Sequence, residues 1–91
     1  MSESEVTNLL SKYNQIQMLV WWVNRYTKNK AASNFDGRSG EFIIKVYEDA
    51  QSTKAKTIYK IENMWVKAES IVLKEMRDIT QQLLIIKEQN S

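Results

Sequence analysis

The sequence predicts an all-α protein, an antiparallel helical hairpin with a long second helix that assembles into a four-helix-bundle-like dimer. Three observations carry this. Both glycines of the 91 residues lie within Ser33–Gly40, and the chain contains no proline. Apolar residues recur at steps of three and four on either side of that stretch, the period of a helix face. The arm after the stretch is much longer than the arm before it, so part of its apolar stripe lacks an intramolecular partner. Residues 1–91 then form one domain: helix 3–32, turn 33–40 and helix 41–89.

The first helix starts at a capping-box pattern, Ser2 with Glu5 three residues on, in which side chain and backbone amide satisfy each other reciprocally. Val6, Leu9, Leu10, Tyr13, Ile16, Val20, Val23 and Thr27 follow as one stripe. Met18, Leu19, Trp21 and Trp22 lie off that stripe, so the second half is apolar nearly all round and needs more than one neighbour. Adjacent helical residues point ~100° apart, so Trp21 and Trp22 divide between the hairpin partner and an outside surface. Tryptophan is enriched at binding hot spots, which makes both candidates for partner binding.

After the turn, Asp36 or Ser39 serves as a cap, with Glu41 favourably placed at the helix start. Phe42, Ile43, Val46, Tyr47, Ala50, Thr53, Thr57, Ile61, Met64, Ala68, Ile71 and Val72 hold helical spacing, and no glycine or proline interrupts 41–91. Asp78-Ile79-Thr80, poor helix formers around a β-branched residue, is where a bend would fall. Pairing the helices about Asp36 sets Trp22 against Tyr47 and Ala50, and Leu9 against Met64. Ile71, Val72, Met76, Ile79, Leu83, Leu84, Ile85 and Ile86 then extend beyond the first helix. Eight such residues on one stripe would be an outsized apolar patch for a monomer. A second hairpin covering them gives a four-helix bundle.

The composition points the same way. A chain of this size buries roughly 60–65% of its unfolded surface, so its core is marginal without help. Cysteine and histidine are absent, which removes disulfides and the usual zinc ligands. Asp36-Gly37 stands too alone for a calcium loop. No metal and no cofactor is expected, and a partner chain is the remaining source of stability.

Catalysis is tested by inventory. Without His or Cys the options reduce to carboxylate pairs, Lys or Ser. Glu48 and Asp49 are adjacent and do not face each other on a helix, and two glycines make no phosphate cradle. No catalytic residue is expected, and the chain reads as a non-enzyme. Thirteen basic and 11 acidic residues give a net charge of +2. Lys45, Lys54, Lys56, Lys60, Lys67 and Lys74 could track phosphates, but interleaved acids make that a salt-bridged solvent face, so nucleic acid is the weaker reading. The acidic N-terminus lacks the order of a signal peptide, and the longest apolar run, Met18–Val23, is far short of the ~20 residues that span a bilayer.

Phe35-Asp36-Gly37 between two long helical patterns resembles the WXG family of small type VII secretion substrates, the early-secreted-antigen-like proteins. That family is a helical hairpin with Trp-x-Gly at its turn. Gly37 matches the glycine, Ser39 the small residue that follows and Ile43 the apolar residue beyond, with Phe35 in the tryptophan position. The resemblance implies a secreted protein without a cleaved signal peptide, or a secretion partner, acting through a homodimer or a heterodimer with a related helical protein. Phe35, Asp36 and Gly37 form its turn motif. Trp21, Trp22, Ile71, Val72, Met76, Ile79, Leu83 and Ile86 are the expected partner-binding residues. The alternative is a cytoplasmic helical adaptor, or a phage or regulatory assembly subunit, that uses the same stripes.

Overall fold

The computed structural model describes residues 3–89, with side chains from residue 7 onward. Its order is α1 (Glu3–Tyr26), β1 (Lys30–Asp36), β2 (Glu41–Tyr47), β3 (Thr57–Ile61) and α2 (Glu69–Gln89). The protein is therefore α+β, two helices with a three-stranded antiparallel meander, and not an all-α hairpin.

The strands pair in sequence order. Lys30 lies opposite Tyr47 and Asp36 opposite Glu41 in the first ladder, and Phe42 opposite Ile61 and Val46 opposite Thr57 in the second. Successive strand residues point to opposite faces. On β2 this buries Phe42, Ile44 and Val46 and turns Lys45 outward. Ala31 of β1 and Ile61 of β3 join the same inner face. Above it, α1 contributes Ile16, Leu19, Val20 and Val23, and α2 contributes Val72, Met76, Ile79 and Leu83, to one continuous core. Each fully buried aliphatic side chain stabilises this arrangement by about 1.5–3 kcal/mol.

The two helices run in the same direction. Lys87 near the end of α2 lies 4.9 Å from the ring of Trp22 near the end of α1. At the other end, Leu9 and Leu10 line a common groove with Glu69 and Val72. Three strands between the helices bring the chain back to the end where it began, so α2 lies beside α1 as its parallel neighbour.

This corrects several expectations. The helix expected over 3–32 ends at Tyr26, where Thr27 turns its hydroxyl back onto Val23 O at 2.8 Å. The turn over 33–40 is a chain reversal, but between strands: β1 runs through Asp36 and β2 starts at Glu41. The helix expected over 41–89 is two strands, two connections and α2. α2 runs without a break through Asp78–Thr80. Thr80 is buried, and its hydroxyl bonds Met76 O at 2.8 Å inside the helix. Most of the C-terminal stripe has its partner within the same chain: Val72, Met76, Ile79 and Leu83 are buried and Ile86 packs on the core. The unequal-arms argument for a four-helix bundle therefore falls away. The Ser2–Glu5 capping box lies outside the described side chains.

Candidate functional site

The β1–β2 turn builds one end of an apolar groove. Asp36 accepts from the Arg38 amide through its carboxylate at 2.9 Å, an Asx-type turn, and its carbonyl accepts from the Gly40 amide at 2.9 Å. Gly40 has φ +70°, the left-handed conformation that an L side chain resists. Gly37 does not, so the residue that permits the reversal is Gly40 rather than the glycine of the aromatic-x-glycine triplet.

The connection from β3 to α2 crosses this turn and is fastened to it. The Met64 amide donates to Gly40 O at 2.9 Å, and the Trp65 indole Nε1–H donates to Gly37 O at 2.7 Å. Asn63 just before takes φ 56°, which asparagine tolerates better than most residues, and its carbonyl accepts from the amides of Val66 and Lys67. Trp65 lies over Gly40 so closely that a Cβ there would sit 2.9 Å from indole Cδ1. The ring is thus held at two points while remaining 61% exposed.

Phe35 packs edge-on against Trp65, with centroids 5.9 Å apart, and against Tyr13 of α1 at 6.0 Å. Tyr13 in turn lies 5.3 Å from buried Phe42. Leu9, Leu10, Tyr13, Phe35, Met64 and Trp65 enclose a half-open cleft of about 290 Å³ with almost no polar surface. It continues past Leu9, Leu10 and Trp65 into a narrower lobe of about 190 Å³ that ends at Lys67, Glu69 and Val72. Lys67 there is engaged by Glu75 at 3.0 Å. One Glu69 carboxylate oxygen, Oε2, is shielded from water and has no hydrogen-bond partner among the described residues. The partly exposed remainder of the Glu69 side chain lines the end of the lobe. The site is therefore an aromatic apolar cleft with a carboxylate at one end.

Of the residues expected to bind a partner, only Val72 lines this groove, at the floor of its narrower lobe, and of the expected turn motif Phe35 borders it. Asp36 and Gly37 hold it from behind through the turn. Trp21 is 61% exposed, three turns along α1 from Leu10, and touches Tyr26 edge-on, while half-buried Trp22 packs on Tyr26 and beneath the Lys87 ammonium. Ile71 is exposed. Val72 is otherwise buried, and Met76, Ile79 and Leu83 are inaccessible to a partner in the folded chain. The lysines expected along one helix are spread over β2, the loop after it, β3, the β3–α2 connection and α2.

Trp65 was hidden in the sequence by Glu69 four residues on, which reads as a helical pair. No glycine or proline marks the connection that carries it, and the Asn63 signal is weak.

Shifted ionisations lie elsewhere. Donation to the Glu62 and then the Glu41 carboxylate holds the Lys60 ammonium above its ordinary value. Burial raises the Tyr59 phenol. The Ser52 hydroxyl, then the Gln51 amide, lowers Asp49. Among the described residues no three Asp or Glu side chains gather as metal ligands, and no helix is long and apolar enough to cross a membrane. No family model, curated protein or solved structure matches the chain.

Proposed function

We propose that this chain is a non-enzymatic protein-interaction domain whose groove takes an apolar side chain of a partner protein, with a basic residue of that partner directed to Glu69. The observation that carries this is Trp65: a large indole, mostly exposed, yet fixed by its bond to Gly37 and its contact with Gly40. An aromatic side chain that loses little freedom on binding is what an interface anchor needs. The apolar lining of the cleft sets the preference for an apolar side chain, and the half-buried Glu69 carboxyl group at the end of the narrower lobe sets the preference for a neighbouring cation. The interaction role expected from the sequence is kept. The helical-hairpin architecture that linked it to type VII secretion is not, and export forms no part of the proposal.

The test is a titration of isotope-labelled protein with blocked tripeptides containing Phe-Arg or Phe-Glu, followed by NMR. Phe-Arg is expected to shift the Trp65 indole and Leu10 methyl signals at lower concentration than Phe-Glu. Glu69→Gln should remove that preference while keeping the apolar response. Silence of the Trp65 indole at millimolar peptide would reject the groove as a binding site.

A further inference from the structure

The two edges of the sheet differ. α1 reaches the edge at β1, where the Asn24 side chain engages the amide and the carbonyl of Ala31 at 2.7 and 2.8 Å and Gln17 accepts from the Ser33 hydroxyl at 2.9 Å. The edge at β3 has no such cover. Among the described residues no hydrogen bond reaches the outward backbone groups of β3. Two openings separate this strand from α2 on either side of Tyr59, one of about 330 Å³ between Ile58 and Asp78 and one of about 170 Å³ between Thr57 and Gln82.

Which groups point outward follows from the pairing. Along a strand, the backbone groups of successive residues turn alternately to one side and the other. Ala31 turns both of its groups to Asn24, so Val46 opposite it points to β3, and Val46 O accepts from the Lys56 amide at 2.7 Å. Thr57, Tyr59 and Ile61 therefore bond to β2, and Ile58 and Lys60 aim amide and carbonyl away from it. Ile58 is also 57% exposed. Unpaired edge groups of this kind are a template for another strand.

The edge is its own complement. A two-fold axis sets one β3 antiparallel to the other, and bonds form only where outward-pointing residues meet. With the axis at Tyr59, Ile58 of each copy pairs with Lys60 of the other, four backbone bonds in all. With the axis at Ile58, only Ile58 pairs, and Lys60 faces Lys56. With the axis at Lys60, the two Lys60 side chains stand opposite, and like charges directly opposite destabilise a pair. The Tyr59 register avoids both. Lys60 there lies beside an apolar side chain, with its charge met inside its own chain by Glu41 at 3.3 Å and Glu62 at 3.2 Å. At each end, exposed Lys56 of one copy falls opposite exposed Glu62 of the other.

We infer that the occupant of the β3 edge is a second copy of the chain, in a two-fold pairing of β3 on β3 about Tyr59 that joins two three-stranded sheets into one of six strands. The interface is isologous, as a two-fold requires. It uses no residue of the peptide groove, so the two are tested apart.

The experiment is sedimentation equilibrium of the full chain from micromolar to near-millimolar concentration, with amide exchange followed by NMR at both ends of that range. Mass should rise from 10.7 kDa toward twice that value. The Ile58 and Lys60 amides should exchange at least tenfold more slowly in the concentrated sample, and the Tyr59 amide, bonded to β2 in either state, should change far less. Ile58→Pro removes an outward amide and keeps the bonds to β2, a place where an edge strand tolerates proline. It should weaken association roughly thirtyfold, because two of the four bonds are lost, with unchanged circular dichroism. If Ile58→Pro does not fold, amide exchange of the unsubstituted chain decides. Trp65→Ala should leave association intact. A monomer at near-millimolar concentration would overturn the proposal and leave the edge to a strand of another protein. So would a dimer in which the Ile58 and Lys60 amides exchange as fast as in the dilute chain, or one that a folded Ile58→Pro leaves unchanged.

Discussion

The indole Nε1–H of Trp65 donates to the carbonyl of Gly37 at 2.7 Å, a bond that spans 28 positions of sequence. It fastens the β3–α2 connection to the β1–β2 turn and fixes the ring that the groove presents. Trp65→Phe keeps an aromatic ring and loses the donor. It should cost about 0.5–1.5 kcal/mol, the net worth of one such bond, in denaturant unfolding. The groove should also lose affinity for Phe-Arg peptides, because the ring is no longer held.

Gly37 and Gly40 are expected to answer alanine in opposite ways. At Gly40 the backbone is left-handed and the new methyl would meet the indole at 2.9 Å, so Gly40→Ala should cost about 1–3 kcal/mol and displace Trp65. At Gly37 a Cβ meets only the Phe35 ring at 3.7 Å, an ordinary contact. Gly37→Ala should be neutral or stabilising by up to about 1 kcal/mol, because it restricts the unfolded chain. Thermal melts and Trp65 fluorescence of the two variants decide this.

Asn24 treats the edge of β1 as another strand would. Its amide donates to Ala31 O at 2.8 Å and its carbonyl accepts from the Ala31 amide at 2.7 Å. Both backbone groups of Ala31 therefore point away from β2, and Asn24 closes the edge at that position. Asn24→Leu leaves both without that partner and should cost about 1–3 kcal/mol. Hydrogen exchange at the Ala31 amide should accelerate more than at Ile44 on the central strand.

Leu83 is fully buried, whereas Val66 is 84% exposed. Leu83→Ala should cost about 2–5 kcal/mol, and Leu83→Asp should unfold the chain rather than dissociate a dimer. Val66→Asp should change stability by no more than about 0.5 kcal/mol. Calorimetry on the three variants gives the ordering.

The pH response follows from the shifted groups. With no His or Cys, stability should be flat between about pH 6 and pH 9. Tyr59 and Lys60 have raised values in the folded state. Their contributions are complete below the unfolded values and are lost as pH rises through the folded ones. Stability should therefore fall above about pH 10, and Tyr59→Phe should fall less steeply there. Asp49 is lowered, so its small contribution exists above its ordinary range and is lost as pH falls through the lowered value. Melting temperature against pH, for wild type and Tyr59→Phe, reads all three arms.

Much of α1 was legible. Ile16, Val20 and Val23 were on the expected stripe and are buried, and the chain does reverse between Asp36 and Glu41. Over 41–61 the structure departs from the helical expectation for an identifiable reason. Phe42, Ile43, Val46 and Tyr47 fit helical steps, but Phe42, Ile44 and Val46 also alternate, and β-branched and aromatic residues favour the alternating reading. Glycine and proline, the usual markers of a break, are absent from 41–91. This chain breaks instead at Asp49, whose carboxylate accepts from the Gln51 amide and the Ser52 hydroxyl, and at left-handed Asn63. The groove was illegible because its walls come from positions as far apart as Leu9 and Trp65.

The sequence by itself determined where apolar side chains recur at helical period, which holds over α1 and over 69–89 but not between them, together with the absence of thiol and imidazole chemistry and the place of the tightest turn. Only the tertiary structure decided that the segment between the helices is a sheet. Spacings of two and of three to four residues coincide over so short a run, and pairing of β2 on both edges selects the strand. Having selected it, the meander sets α2 parallel to α1. That buries Leu83 inside the chain, and it leaves Trp65 over the turn and Trp21 on the open face of α1.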